Sequence, residues 1–319
     1  MDMATGDRLR FGVDLVTFFD PGFWGVDSHD AIIDYARAEP RAFWNKILDS
    51  VQASGVTGVE LTFSPFNWQD AIKTYGSVDA FAAELARRGL TLCSGFFAEL
   101  EAAGDFAEPE AQRALIDKAE RYADFLKACG SDIMVIGAPL RQTLGAQPVQ
   151  FYDFDRAKVI ADFLNRLGAT LYARGVRLAL HTEAHSIFAA ARDVELMMLL
   201  TDPAYVHMCP DTAHIIVAGS DPIQLVDRHH ERVIIAHWKD AIGPMPADTP
   251  IDKHIHDRHQ PYFCSFGLGR VDWPAWIRLL RDRAYEGWAI LELDAAPDPV
   301  RDIANGLTLV RQALLPIYR

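Results

Sequence analysis

A chain of 319 residues with 50% hydrophobic and 11% aromatic residues can bury a large core, which excludes an intrinsically disordered protein. Its formal net charge of −13 disfavours nucleic-acid and anionic-membrane partners, because an acidic surface repels phosphate. The four cysteines form no CxxC pair, the N-terminus has no apolar signal region, and no run of about 18 apolar residues occurs. These features predict a reduced, cytoplasmic protein without a membrane span.

Short apolar runs alternate with longer stretches of helical spacing along the chain. In chain order, the predicted strands are 10–18, 56–63, 90–97, 132–139, 176–183, 205–211, 232–240 and 287–294. The predicted helices are 41–55, 78–89, 109–129, 155–174, 192–200, 221–228, 273–284 and 298–314. Gly55 and Gly89 mark the ends of the first two helices, since glycine readily adopts the left-handed conformation that ends a helix.

Eight strand–helix units predict an α/β protein, most simply a (β/α)8 TIM barrel in one domain over residues 1–319. A doubly wound open sheet is the alternative. It would favour a GxGxxG loop after the first strand, and the segment there, GVDLVTFFDPGFWG (12–25), lacks one. The longest connection without a predicted helix, at about 241–270, is expected to be a functional loop over the active site.

Ionisable residues stand at the carboxyl ends of several predicted strands, where TIM barrels carry their active sites. They are Glu60, His181, Glu183, Asp211, His214, His237, Lys239, Glu292 and Asp294. Carboxylates gathered at one mouth would repel each other unless a cation lay between them, so we predict one divalent metal. Oxygen-rich ligands with an imidazole suit Mn²⁺, Mg²⁺, Co²⁺ or Fe²⁺ as well as Zn²⁺. Asp211 and Thr212 have a simpler reading, in which they only cap the next helix.

Four segments resemble the sugar phosphate isomerase/epimerase superfamily, the xylose-isomerase-like TIM barrels. They are CPDTAHIIVAGSDPIQLV (209–226), RVIIAHWKDA (232–241), FGLGRVDWPAWIRLL (266–280) and YEGWAILELD (285–294). The resemblance implies a metal, Mn²⁺ being favoured, held by the glutamate of the fifth strand together with Asp211, His237 and Glu292. It also implies that His214 and Lys239 lie close to the substrate.

The fifth strand departs from the commoner pattern of that superfamily. His181 stands where many members have the glutamate, and the carboxylate follows two residues later at Glu183. If the strand continues, both side chains share a face. We therefore assign Glu183 as the metal ligand and His181 as the general base, with Lys239 as a second catalytic residue. Exchange of roles between His181 and Glu183 remains open.

Four residues besides His214 are candidates for substrate binding. Trp24 belongs to an aromatic first loop, Phe97 and Glu60 stand at strand ends, and Arg258 lies in the histidine-rich segment 251–263. Aromatic rings at a barrel mouth stack on sugar or aglycone rings, although they also commonly pack on one another.

A divalent metal that chelates a carbonyl and its neighbouring hydroxyl acidifies the adjacent C–H bond, and a nearby base removes the proton. The outcome is isomerisation, epimerisation or elimination. The His-x-Glu pair, the aromatic first loop and the histidine-rich loop resemble the catalytic α-subunits of bacterial C-glycoside deglycosidases. This resemblance implies elimination of an aromatic aglycone from a 3-oxo-glucoside, and a small β-sandwich partner subunit; a homo-oligomer is also open.

Other functions remain open at this stage. Within the superfamily they are a keto-sugar isomerase, an epimerase or an inosose-type dehydratase. A metal-dependent abasic-site endonuclease shares the barrel, but it needs a basic DNA-binding face that this acidic chain does not predict. A non-catalytic sugar-binding or metal-storage protein is a further alternative.

Overall fold

The computed structural model describes residues 8–100, 109–141 and 153–319, and its strands form a barrel. The strands are β1 Leu9–Asp14, β2 Gly58–Leu61, β3 Thr91–Phe97, β4 Ile133–Gly137, β5 Arg177–His181, β6 Val206–Cys209, β7 Ile235–Trp238, β8 Asp240–Ala241, β9 Phe263–Cys264 and β10 Gly287–Leu291. Eight of them form one parallel sheet in the order β6-β5-β4-β3-β2-β1-β10-β7. Parallel bridges from Met208 to Val233 and from Asp211 to His237 link β6 to β7 and bring the two sheet edges together. The predicted TIM barrel is confirmed.

Helices surround the barrel and connect its strands. They are α1 Pro21–Trp24, α2 His29–Ala38, α3 Pro40–Ser54, α4 Trp68–Tyr75, α5 Val78–Arg87, α6 Pro109–Ala128, α7 Phe154–Ala173, α8 Ala191–Leu200, α9 Thr212–Val217, α10 Pro222–His229, α11 Ile255–His259, α12 Trp273–Asp282, α13 Pro299–Leu309 and α14 Leu315–Tyr318. Gly55 and Gly89 have positive φ angles of 89° and 68°, as predicted for helix ends. Within the described ranges, no helix is both long and apolar enough to cross a bilayer.

The inside of the barrel is filled by side chains, so the barrel is a packed core with a site above it. These interior residues are Cys93, Ile133, Val135, Ala179, Cys209, Ile235, Trp288 and Ile290. Because strand side chains alternate between faces, the residue two positions further along a strand again points toward the barrel axis. That residue is His181 after Ala179, Asp211 after Cys209, His237 after Ile235 and Glu292 after Ile290.

The fifth strand is shorter than predicted, and this changes the position of Glu183. β5 ends at His181 because the chain then turns: the Ser186 N–H donates to the Glu183 carbonyl at 3.0 Å, and the Glu183 N–H donates to the Phe188 carbonyl at 3.2 Å. The alternation of a continuous strand therefore does not reach Glu183, although its side chain still reaches the barrel mouth, 3.3 Å from His181.

The connection after β7 is organised around the buried carboxylate of Asp240. This carboxylate accepts backbone N–H bonds from Gly267 and Gly269 at 3.0 Å each and from Val271 at 3.2 Å, and it accepts the indole N–H of Trp273 at 2.9 Å. The connection also contains α11 and the short antiparallel pair β8–β9. Asp240 thus fixes both ends of the loop that lies over the barrel mouth.

We expect Asp240→Asn to lower the free energy of unfolding by about 2–4 kcal/mol, because an amide NH2 group then faces backbone and indole donors inside the protein. Urea unfolding measures the change. Asp272→Asn is the matched control: Asp272 is exposed and caps α12 by accepting the Ala275 N–H at 2.9 Å, and asparagine caps equally well. Equal stability of the two variants would contradict the anchoring role of Asp240.

Candidate active site

His237, at the end of β7, lies between two buried carboxylates. Its Nε2 is 2.9 Å from Oε1 of Glu60, and its Nδ1 is 2.6 Å from Oε2 of Glu292. Glu60 also accepts a hydrogen bond from the Ser94 hydroxyl. A carboxylate on one ring nitrogen fixes the orientation of an imidazole and leaves the other nitrogen directed at a ligand.

His181 is placed in the same way at the end of β5. Its Nδ1 is 3.3 Å from Oε2 of Glu183, and its Nε2 is 3.7 Å from Oδ2 of Asp211. Asp211 also caps α9, since its Oδ1 accepts the His214 N–H at 2.8 Å. The capping interpretation therefore holds for one oxygen of Asp211, while the other oxygen faces His181.

Four buried atoms at this point have the properties of metal ligands. They are Nε2 of His181, Oδ2 of Asp211, Nδ1 of His237 and Oε2 of Glu292, which face one another. Like Nδ1 of His181, Nε2 of His237 and Oε1 of Glu60 beside them, they have no hydrogen-bond partner among the described residues. Ligand atoms of His181, Asp211 and His237 all lie within 4.8 Å of one another. Burial alone would lower the pKa of His181, but its contacts with Asp211 and Glu183 raise that pKa to about 10. The site thus attracts a cation, and its residues fit a divalent metal.

Lys239 lies beside these residues and is fully buried. Its Nζ is 2.8 Å from Oε1 of Glu292, 2.6 Å from Oδ1 of Asp294 and 3.3 Å from Nε2 of His214. Burial opposes its charge, yet Asp294 and Glu292 hold the pKa of Lys239 well above its ordinary value. Burial raises the pKa of Asp294 to about 7, even though Lys239 acts to lower it.

A cavity of about 620 Å³ opens above the site and has two unlike walls. One wall is polar and consists of His181, Glu183, His214, His237, Lys239, Glu292 and Asp294. The other wall is largely apolar and includes Val16, Phe19, Phe63, Phe96 and Leu140. The loop segment that carries α11 adds His256, Asp257, His259 and Gln260 at the rim. This size suits a small-molecule ligand.

The family model described as xylose isomerase-like TIM barrel matches residues 48–313. This chain belongs to the xylose isomerase-like TIM barrels. The match covers β2 to α13 and so includes every strand that contributes to the ligand cluster.

Curated relatives and solved structures agree with this family. An inosose dehydratase of Clostridium perfringens is 25% identical over 238 residues, which are 72% of this chain and 77% of that protein. An inosose dehydratase of Lacticaseibacillus casei is 26% identical over 220 residues, 66% of this chain and 71% of that protein. The probable 3-DHS dehydratase AsbF from Bacillus anthracis superposes with a TM-score of 0.67 at 14% identity, over 95% of this chain and 99% of that one. An IOLI protein structure with a zinc atom superposes with a TM-score of 0.67 at 13% identity, over 96% of this chain and 99% of that one.

Not all predicted substrate-binding residues of this xylose isomerase-like barrel reach the cavity. Trp24 lies in the core instead, because its indole N–H donates to the Phe18 carbonyl at 2.7 Å and its ring stacks on Phe43 at 4.3 Å between centroids. Phe97 is 1% exposed, because strand alternation turns it toward the surrounding helices while Phe96 faces the cavity.

Two other predicted residues are also placed differently from expectation. The guanidinium of Arg258 donates to the Pro250 carbonyl and to the Asp252 carboxylate, at 2.7 Å each, and so binds its own loop. Glu60 lies beneath the cavity and contacts His237 rather than a substrate. His214 does line the cavity, as predicted.

Some residues of the site were missed in the sequence. Asp14, at the carboxyl end of β1, lines the cavity, and burial followed by the charge of Glu60 raises its pKa well above the ordinary value. Its position at a strand end was the signal that could have identified it. Phe63 lies in a loop, where sequence spacing does not indicate a direction for the side chain.

Proposed function

We propose that this chain is a divalent-metal-dependent lyase that removes the proton α to the carbonyl of a cyclic keto-polyol and expels the β-hydroxyl as water, as an inosose dehydratase does. It is a carbohydrate-acting enzyme of the xylose isomerase-like family. The observation that carries the proposal is the set of four buried, unbonded ligand atoms at the base of a cavity large enough for a sugar. Two curated relatives named inosose dehydratase support the choice of substrate class.

The residues that would hold the metal are His181, Asp211, His237 and Glu292, so we propose His181 in place of Glu183 as the ligand from the fifth strand. All four stand two positions after an interior residue of the barrel, and Asp211 keeps a parallel bridge to His237 past the end of β6, whereas the chain turns at Glu183 after the end of β5. Glu183 lies beside Nδ1 of His181, and Glu60 lies in the same way beside Nε2 of His237. Each carboxylate is therefore placed to orient a histidine that binds the metal through its other ring nitrogen. Two imidazoles and two carboxylates suit a first-row divalent ion, and we propose Mn²⁺.

When bound, a divalent ion supplies a Lewis acid that polarises the substrate carbonyl. The side chains around it supply the proton transfers. His214 lines the cavity, and burial, followed by the charge of Lys239, holds its pKa well below the ordinary value, so its ring is neutral at neutral pH. We propose that it accepts the α-proton. Lys239 remains an ammonium and is placed to donate to the departing oxygen.

An aromatic leaving group is the second candidate, in which the same chemistry releases an aglycone from a 3-oxo-glucoside. The apolar wall favours it, because Phe19 and Phe63 pack edge to face at 5.4 Å and Phe96 meets the His181 ring at 5.5 Å. A small polyol does not need three aromatic rings around it.

The test is to incubate the metal-loaded protein with an inosose and, separately, with a 3-oxo-C-glucoside, and to follow the dehydrated product and the released aglycone. We expect His181→Asn to lose the metal, measured by elemental analysis. We expect His214→Gln to retain the metal while kcat falls by about 10²–10⁴-fold. If neither substrate is consumed by the loaded protein, or if His181→Asn binds metal as the wild type does, the proposal is wrong.

We expect Phe63→Ala to raise KM by about 10-fold with little change in kcat, because it removes apolar contact from one wall of the cavity. Trp24→Phe is the comparison. It should lower the free energy of unfolding by about 1–3 kcal/mol, since the Phe18 carbonyl loses its buried donor, but leave KM unchanged. Steady-state kinetics and urea unfolding of both variants check this, and a raised KM in Trp24→Phe alone would reverse the assignment.

A further inference from the structure

A second group of possible metal ligands lies at the rim of the cavity, between the barrel and α11. It consists of Glu183, His256 and His259, whose ligand atoms all lie within 4.8 Å of one another. His256 and His259 stand three residues apart on α11 and so share one face of that helix. Glu183 comes from the turn after β5, on the opposite side of the gap.

His259 gives an independent indication that a ligand binds there. Its side chain is buried, with 3% of the residue exposed, and its Nδ1 has no hydrogen-bond partner among the residues that the structure describes. Three further imidazoles surround it, with ring centroids at 5.2 Å for His256, 5.4 Å for His214 and 5.9 Å for His185. A buried imidazole nitrogen without a partner is costly unless something binds it.

We propose that Glu183, His256 and His259 form a second divalent-cation site, of the kind that binds zinc, which ties the α11 segment to the barrel over the cavity. Two imidazoles and a carboxylate are a zinc ligand set, and three protein ligands leave one coordination position for water or for an oxygen of the substrate. The site is separate from the cluster of His181, Asp211, His237 and Glu292 and does not depend on the reaction proposed above.

The position of the site determines what the ion would do. α11 has five residues and is part of the long connection that Asp240 anchors at its two ends. An ion between α11 and Glu183 closes that gap. Glu183 also contacts His181, and through this carboxylate the occupancy of one site affects the other.

Zinc content after equilibrium dialysis tests the proposal. We expect about two ions per chain in the wild type and about one in His256→Ala and in His259→Ala. His254→Ala is the matched control, because His254 is exposed in the same segment and faces Asp257, 3.3 Å away; it should retain both ions. His256 is exposed, so its removal does not threaten folding even if that of His259 does.

Hydrogen exchange of residues 250–262 is the second measurement. Added Zn²⁺ should slow exchange there in the wild type and in Asp211→Asn, but not in His256→Ala. Equal zinc content and equal exchange in wild type and His256→Ala would overturn the second site. If the zinc content fell in Asp211→Asn but stayed at the wild-type value in His256→Ala, this inference would be overturned and the proposed function would stand. A wild type that binds no divalent ion would overturn both.

Discussion

Asp211→Asn should remove the divalent metal of the proposed site and lower kcat/KM by about 10³-fold or more, while the fold stays intact. The loss follows because Oδ2 of Asp211 faces His181 and is one of the four unbonded ligand atoms. A Lewis-acid metal contributes several kcal/mol to transition-state stabilisation, and its loss therefore corresponds to a fall in kcat/KM of about 10³-fold or more. Asparagine caps helices as well as aspartate does, so α9 keeps its bond to the His214 N–H.

The measurements are metal content, kinetics on the inosose and unfolding of the metal-free protein. We expect the free energy of unfolding of the metal-free variant to change by less than about 1 kcal/mol. Asp221→Asn is the matched control, since Asp221 caps α10 by accepting the Ile223 N–H at 2.8 Å but is exposed and far from the cluster. An Asp211→Asn protein with full metal content and full activity would show that Asp211 is only a helix cap.

The barrel could be predicted from the sequence because its signals are local and repeated. Apolar runs and helical spacing alternate eight times, and Gly55 and Gly89 end their helices in the left-handed conformation. The short helices α1, α9 and α11 could not be predicted in this way, because each is too short to show a helical period. The capping residues Asp20 and Asp211 are the local signals for α1 and α9, and α11 has no side-chain cap.

The sequence could predict the residues of the candidate site only where it could also predict how far each strand continues. His237 lies within β7, Glu292 comes directly after β10, and Asp211 is bridged to His237 past the end of β6, so the alternation of these strands still gives their direction. Glu183 was placed by the same reasoning, but β5 ends before it, and the end of a strand depends on tertiary hydrogen bonds. One of these is the Thr182 N–H donating to the Cys209 carbonyl of β6 at 3.2 Å.

The aromatic residues show the other limit of sequence reasoning. Trp24 and Phe19 belong to the same connection between β1 and α2, yet Trp24 packs on Phe43 in the core and Phe19 lines the cavity. Composition predicts that such rings are buried, but their direction depends on contacts between distant segments. The spacing of loop residues carries no information on those contacts.

Lys239→Met should destabilise the metal-free protein by about 3–5 kcal/mol at pH 8, because it leaves the buried carboxylate of Glu292 and the partly buried carboxylate of Asp294 without their shared cation. Methionine keeps most of the volume of lysine, so loss of packing contributes little.

The loss of unfolding free energy in Lys239→Met should become larger as the pH rises. Burial already raises the pKa of Asp294 to about 7 in the wild type, against the effect of Lys239. Without Lys239 the folded variant retains the Asp294 proton to still higher pH, so it binds more protons than the unfolded chain over a wider range. Up to about pH 6 the two proteins lose stability at the same rate, because Asp294 is protonated in both folded states. Above that pH only the variant keeps this proton, so its stability continues to fall and the deficit relative to wild type grows between about pH 6 and pH 8. Urea unfolding of both proteins at several pH values, with a chelator present, measures it; a deficit that is constant over this range would mean that Lys239 stabilises the fold through packing and not through its charge.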